Sequence, residues 1–316
     1  MLQKSPTPLP SASQPAAAGD DALYYEYSTA ANPIGAGIIS KVPYHSFSPE
    51  LYANGPTRLV RLDLSGPLQT EGPATGPGLC ASFARVLAGE TLALDQATTS
   101  QVLYVQEGAG HLRQGEALLP YAEGDFLAFP GGELPRLEAE RTSRLYYVND
   151  APLLRYLGVR IDQPRFRPTR YPAARAQAEL AKAAAAEQAA KRSRISILLG
   201  NTHFPHTRTV THVLWAMFGI LPAHSVQKPH RHQSIALDFI VDTPPGCYTL
   251  VGTEVDAAGE ILHPTRVDWE SGMAFVTPPG YWHAHYNESG QPAHLIPIQD
   301  AGLQTWLRAL DIRFVA

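Results

Sequence analysis

The sequence predicts an all-β protein in two similar halves joined by one helix, and three observations lead there. Glycine (25) and proline (28) are frequent for 316 residues, so turns are common and helix is limited. Short apolar or alternating runs separated by turn residues recur between residues 57 and 150 and again between 211 and 300, which is the signal of many short strands. A single alanine-rich stretch divides the two series. With 44 % hydrophobic residues, the chain holds enough apolar material for more than one core.

Residues 1–20 (MLQKSPTPLPSASQPAAAGD) carry few bulky apolar side chains to offset the entropy of ordering them, so a disordered tail is expected there. The runs TRLVRLDL, ASFARVLA, SQVLYVQEG, GDFLAFPGG and SRLYYVND then read as the strands of a first domain, residues 21–160. Between Ala173 and Ala190, 11 residues are alanine and Leu180 is the one large aliphatic side chain. Alanine is the strongest helix former and Pro172 suits a first turn, so residues 161–194 are expected to be a linker containing one exposed helix. The runs THVLWAMFGILPA, IALDFIVD, CYTLVGTEVD, MAFVTPPG and AHLIPIQD supply a second strand domain, residues 195–316, closed by a short helix in DAGLQTWLRAL.

Charge and cysteine content narrow the function. Twenty-five basic against 29 acidic residues give a net charge of -4, without a basic stripe to follow a phosphate backbone, which argues against a nucleic-acid partner. No apolar run is long enough to span a bilayer, so no membrane partner is expected. Two cysteines, Cys80 and Cys247, are too few for a disulfide framework, and a reducing, cytoplasmic location is the expectation.

Chemistry concentrates in the second half. His230 and His232 precede the run IALDFIVD. On a strand, the period of two puts both imidazoles on one face, close enough to share a metal. His283 follows beyond a hairpin-like region and completes a three-imidazole set suited to iron, copper, zinc or nickel.

These residues carry a resemblance. Gly272, Pro278, Gly280, His283 and Asn287 reproduce G-x5-P-x-G-x2-H-x3-N, which resembles the second signature of the cupin family, and His230 and His232 supply the two histidines of its first. The resemblance implies a double-stranded β-helix (jelly-roll) barrel with a divalent metal on His230, His232 and His283. In the first half Gly89, Asp95, Ala97, Gln101 and Gly108 keep the spacing of the first signature, and Gly124, Pro130, Gly132 and Pro135 that of the second, with every ligand position replaced. The chain is therefore similar to a bicupin whose N-terminal barrel is degenerate and metal-free.

Where many cupins place a glutamate ligand, this chain has Ala236 or Leu237, followed by Asp238, with Gln233 as a weaker fourth-ligand candidate. A neutral three-histidine set is similar to that of the gentisate, salicylate and 1-hydroxy-2-naphthoate dioxygenases. These bicupins usually hold their metal in the N-terminal barrel, whereas the triad here is C-terminal. The resemblance implies a mononuclear non-haem Fe(II) dioxygenase, with Mn, Ni, Cu or Zn as other candidate metals. Its substrates would be a small hydroxylated aromatic acid that chelates the metal, and O2. A homodimer or homotetramer is implied as well. The alternatives are a metal-dependent cupin isomerase or decarboxylase, and a non-catalytic small-molecule-binding bicupin.

Two further histidines are candidates for catalysis. His285 faces the same way as His283 if that segment is extended, as an acid or base or as a wall residue; His212, in the strand-like THVLWAMF, is the other. His203, His206 and His224 read as structural, Trp282 and Cys247 as packing residues, and Arg231 as a surface residue. Arg208, Arg266 and Arg313 are the candidate cations for an anionic substrate.

Overall fold

Strands form where side chains alternate between a buried and an open or inter-barrel face, and the arrangement of those faces positions the site. The computed structural model describes residues 21–187 and 195–315; the tail expected over 1–20 and the last part of the linker, 188–194, lie outside them. The chain divides into two units, residues 1–39 and 40–316. In the first, a single turn of helix, α1 (Tyr27–Ala30), is capped by the Glu26 carboxylate, which accepts the backbone N–H groups of Ser28 and Thr29 at 3.0 and 3.1 Å.

The second unit opens with β1 (His45–Phe47) and α2 (Glu50–Ala53). A first barrel follows: β2 (Arg58–Arg61), α3 (Ser65–Leu68), β3 (Cys80–Val86), β4 (Thr91–Ala93), β5 (Gln101–Gln114), β6 (Ala117–Ala122), β7 (Phe126–Phe129) and β8 (Arg136–Asn149), then α4 (Ala151–Leu157) and β9 (Thr169–Tyr171). Its antiparallel sheet runs β2-β3-β8-β5-β7-β9, with β4 also on β8 and β6 on β5. Strands β5 and β8 are 14 residues each. Their pairing shifts register between Val105 and Gly110, and such bulges bend a strand so that one long strand serves two layers.

Helix α5 (Ala173–Ala185) comes next, as the alanine content predicts, and buries Ala176 and Leu180. The second barrel comprises β10 (Ile195–Leu198), β11 (Trp215–Leu221), β12 (Ser225–His232), β13 (Ala236–Asp242), β14 (Cys247–Gly252), β15 (Thr265–Asp268), β16 (Ala274–Thr277), β17 (Trp282–Asn287) and β18 (Ala293–Gln299), followed by α6 (Ala301–Leu307) and β19 (Ile312–Phe314). Its two sheets have the orders β1-β16-β13-β18-β11-β10 and β15-β14-β17-β12-β19. The short strands β1, β4, β6, β9, β10, β15 and β19 lie outside the runs that mark strands in the sequence, and two of them make distant pairings. Strand β1, from before the first barrel, pairs with β16 through His45 opposite Val276, and β19 pairs with β12. Among the described residues, no helix is long and apolar enough to cross a membrane.

Alternation sorts the side chains into three cores. Leu103, Val105, Leu127, Leu145 and Tyr147 fill the first barrel; Ile240, Val251, Phe275 and Leu295 fill the second. The opposite faces of the same strands meet in a third, shared core, in which Phe83, Tyr104 and Tyr146 of the first barrel pack on Phe239 of the second. Tyr146 and Phe239 stack with centroids 4.7 Å apart, and Tyr52 reaches over to donate its hydroxyl to the Gly272 carbonyl at 3.0 Å.

Because Phe239 is fully buried between the barrels, Phe239→Ala should lower stability by about 3–5 kcal/mol. Urea unfolding should show one transition displaced to lower denaturant for both halves, rather than loss of one half alone.

Candidate metal centre

Strand β12 carries His230 and His232 on one face, and its neighbour β17 brings His283 directly opposite His230. All three are buried. One ring nitrogen from each lies within 4.8 Å of the other two, and this is the cluster of potential metal ligands found among the described residues. Three nitrogens on one ion at about 2.1 Å each stand mostly about 3–4 Å apart, so the rings would draw closer together to close on an ion.

Each ring is oriented by a carbonyl two residues away on its own chain segment. Nδ1 of His230 lies 3.2 Å from the Lys228 carbonyl, that of His232 2.7 Å from the Ser234 carbonyl, and that of His283 3.2 Å from the Tyr281 carbonyl. A carbonyl only accepts, so Nδ1 carries the proton and Nε2 the lone pair that a metal takes. Ser234 is held in turn by its hydroxyl, which donates to Gln299 Oε1 at 2.8 Å. Three buried imidazoles with this orientation fit a divalent transition metal.

His285 sits on the same face of β17, fully buried, with its ring centroid 5.8 Å from that of His283 and 6.2 Å from that of His230. Its partner is a hydroxyl rather than a carbonyl: Nδ1 lies 2.8 Å from Thr249 Oγ1, which accepts the Trp269 indole N–H at 2.8 Å. A hydroxyl both donates and accepts, so Thr249 serves either tautomer of His285. The Thr249 contact thus leaves the tautomer of this ring open, where carbonyls fix that of the other three.

Two more polar residues face the interior of the second barrel: Gln227, which motif spacing does not single out, and Asp238, whose direction the sequence leaves open. Gln227 is buried, and its side-chain amide nitrogen lies 3.4 Å from His230 Nε2. Three residues apart on a regular strand, the two would face opposite ways; a register shift between Gln227 and His230, around Pro229, brings them together. Asp238 is buried on the same side of β13 as Ile240, where it accepts the Thr277 hydroxyl at 2.7 Å. The barrel interior thus contains a carboxylate, outside the three-histidine ligand cluster.

Other candidates lie elsewhere. His212 is in a bend before β11, because the Thr211 hydroxyl accepts the N–H groups of Val213 and Leu214 at 3.3 and 2.8 Å and turns the chain there. Its Nε2 meets Thr99 Oγ1 at 2.9 Å and its ring packs beside Phe166 and Phe204, so the structure does not bring it to the triad. Gln233 is exposed. Arg231 lies over the Trp282 ring on the outer face, 5.2 Å from its centroid, so Trp282 is a surface platform rather than a core residue. Arg266 lies over Tyr248 and pairs with Asp268, Arg313 pairs with Asp311, and Arg208 is exposed. His203, His206 and His224 are exposed too. Cys247 packs in the second core, where burial raises its thiol pKa.

In the first barrel the replaced ligand positions form a different network. Asp95 accepts the Arg61 guanidinium, at 2.6 Å for Nη2, and the Asn149 amide at 2.8 Å. Gln101 accepts the Tyr147 hydroxyl and donates to the Pro130 carbonyl at 2.9 Å.

No family model matches the sequence. A gentisate 1,2-dioxygenase of Aquipseudomonas alcaligenes is 29 % identical over 119 residues, which is 38 % of this chain and 28 % of that relative's length. Among solved structures, a salicylate 1,2-dioxygenase variant from Pseudoaminobacter salicylatoxidans in complex with gentisate superposes with a TM-score of 0.70 at 15 % identity, over 92 % of this chain and 91 % of that one. An oxalate decarboxylase variant of Bacillus subtilis superposes with a TM-score of 0.57 at 12 % identity, over 83 % of this chain and 78 % of that one. The chain has the two-barrel cupin fold.

Burial lowers the His212 pKa from 6.5 to about 4. Between those values the unfolded chain binds the proton and the folded one does not, so this contribution to stability is complete above pH 6.5 and is lost as pH falls towards 4. His212→Gln should flatten the dependence of the unfolding midpoint over that window and leave metal content unchanged.

Proposed function

We propose that the chain is a mononuclear non-haem Fe(II) dioxygenase whose substrate is a hydroxylated aromatic acid that chelates the metal held by His230, His232 and His283. The observation that carries this reading is the set of three buried imidazoles, each with Nδ1 against a carbonyl. The partial sequence match to a gentisate dioxygenase and the fold shared with a salicylate dioxygenase support it. A bound Fe(II) would supply the Lewis acidity that a chelating substrate needs and the redox chemistry that O2 needs. With three neutral ligands the ion keeps its double charge until an anionic substrate balances it.

The remaining interior residues define the rest of the proposal. The hydroxyl of an aromatic acid must lose its proton to chelate well. His285, whose Nδ1 partner Thr249 accommodates both tautomers, takes that proton at Nε2 and returns it to the product. Gln227 offers an amide beside His230 to orient the ligand. Arg231, Arg266 and Arg313 are engaged on outer-face partners, so the substrate carboxylate would find its positive charge in the metal ion.

Protein purified without oxygen and loaded with Fe(II) should hold one equivalent of iron and consume O2 with gentisate, salicylate or 1-hydroxy-2-naphthoate. Loading with Mn, Ni, Cu or Zn in parallel tests the metal. His230→Ala should lose the bound metal, read by elemental analysis. Absence of stoichiometric metal in the wild type, or a variant indistinguishable from it, overturns the proposal. His285→Gln should keep its metal and lower kcat by about 10²–10⁴, the range for removal of a general acid or base.

A further inference from the structure

The strand β19 runs antiparallel to β12, with Phe314 opposite His230, Arg313 opposite Arg231 and Ile312 opposite His232. Residues directly opposite in an antiparallel pair project to the same face. Ile312 and Phe314 therefore lie on the side of the imidazoles, and Arg313 lies on the outer side with Arg231. The ring contact agrees: Phe314 stacks on His230 with centroids 5.7 Å apart and planes inclined by 14°.

The strand is fixed in this register from both ends. The Gln233 N–H donates to the Asp311 carbonyl at 3.1 Å, and the Val315 N–H donates to the Pro229 carbonyl at 3.1 Å. Gly259, at the tip of the segment joining β14 to β15, approaches so closely that a Cβ on it would stand 3.1 Å from Val315 Cβ. Yet Phe314 remains 54 % exposed and Ile312 37 % exposed. Two apolar side chains thus stand beside two of the three ligand histidines, one phenyl face on an imidazole and the remainder open to whatever enters.

We propose that Phe314 and Ile312 form an apolar wall at the mouth of the histidine site, which makes the site prefer chelating ligands that carry an aromatic ring over chelators of the same charge without one. The wall rests on the reading of His230, His232 and His283 as a metal site. Phe314 acts on the ligand by covering a ring and on His230 by stacking. Neither role requires it to take part in the chemistry.

The test uses the full chain loaded with Co(II), whose visible spectrum reports ligand binding at the metal without turnover. Gentisate serves as the ring-bearing probe and glycolate as the hydroxy acid without a ring. The wild type should bind gentisate more than tenfold tighter than glycolate. Phe314→Ala should weaken gentisate about tenfold, the scale of leaving one phenyl contact uncovered, with cobalt stoichiometry and glycolate affinity within twofold of wild type. Phe314→Leu should fall between. If Phe314→Ala sheds cobalt, the same comparison on Phe314→Leu and Ile312→Ala decides, since these keep apolar bulk beside His230.

Equal weakening of both probes marks a purely structural effect on His230 and overturns the wall. An unchanged preference in the variants, or a wild type without a preference, overturns it as well. A chain that shows the ring preference with Co(II) but consumes no O2 with Fe(II) would sink the oxygenase reading and leave the wall standing.

Discussion

Everything in the site depends on how three imidazoles are held with their Nε2 lone pairs inward. In each case the hold is a contact between Nδ1 and a carbonyl only two residues away, at Lys228, Ser234 and Tyr281. Such short-range contacts make each ring's tautomer a property of its own strand end, and the barrel has only to bring two strand ends together. It does so by pairing β12 with β17, which sets His230 opposite His283. His285 departs from this pattern, since its partner is the Thr249 hydroxyl. That single difference in partner chemistry separates a ring built to coordinate from a ring able to exchange a proton.

The first barrel shows what the same architecture does without imidazoles at the matching positions. At the position matching His230 stands Asp95, which binds the guanidinium of Arg61 and the amide of Asn149. At the glutamate position stands Gln101, tied to Tyr147 and to the Pro130 carbonyl. Side chains of the first barrel satisfy one another there, with the Arg61 guanidinium as the cation that Asp95 binds. The barrel's other contribution is its outer face. Phe83, Tyr104 and Tyr146 cover Phe239, on the strand whose opposite face presents Asp238 to the second interior.

Much of this was written locally. The longer strands, the alanine-rich helix and the pairing of His230 with His232 follow from period and propensity, because each depends on residues close in sequence, while the degenerate first barrel is what the resemblance to the cupin signatures implies. Gln227 escaped that reasoning because the register shift beside Pro229 breaks the alternation on which face assignments rest. His212 misled it for a related reason: the Thr211 side chain captures the backbone of the next residues and ends the apparent strand before it starts. Asp238 has the right chemistry, yet its direction is readable only once β13 has neighbours.

Local patterns in the chain fix a strand-rich protein in two halves around one alanine-rich helix, with His230 and His232 on one strand face, and the resemblance to the cupin signatures turns those halves into barrels and adds His283 to the set. What surrounds the triad is set by contacts between distant strands. Thr249 of β14 and Trp269, just beyond β15, reach His285, β1 crosses from before the first barrel to complete the second, and Phe314 returns to lie against His230 from more than eighty residues away. Contacts of that separation leave no periodic trace in the chain, since they are set by which sheet edge remains open to be paired.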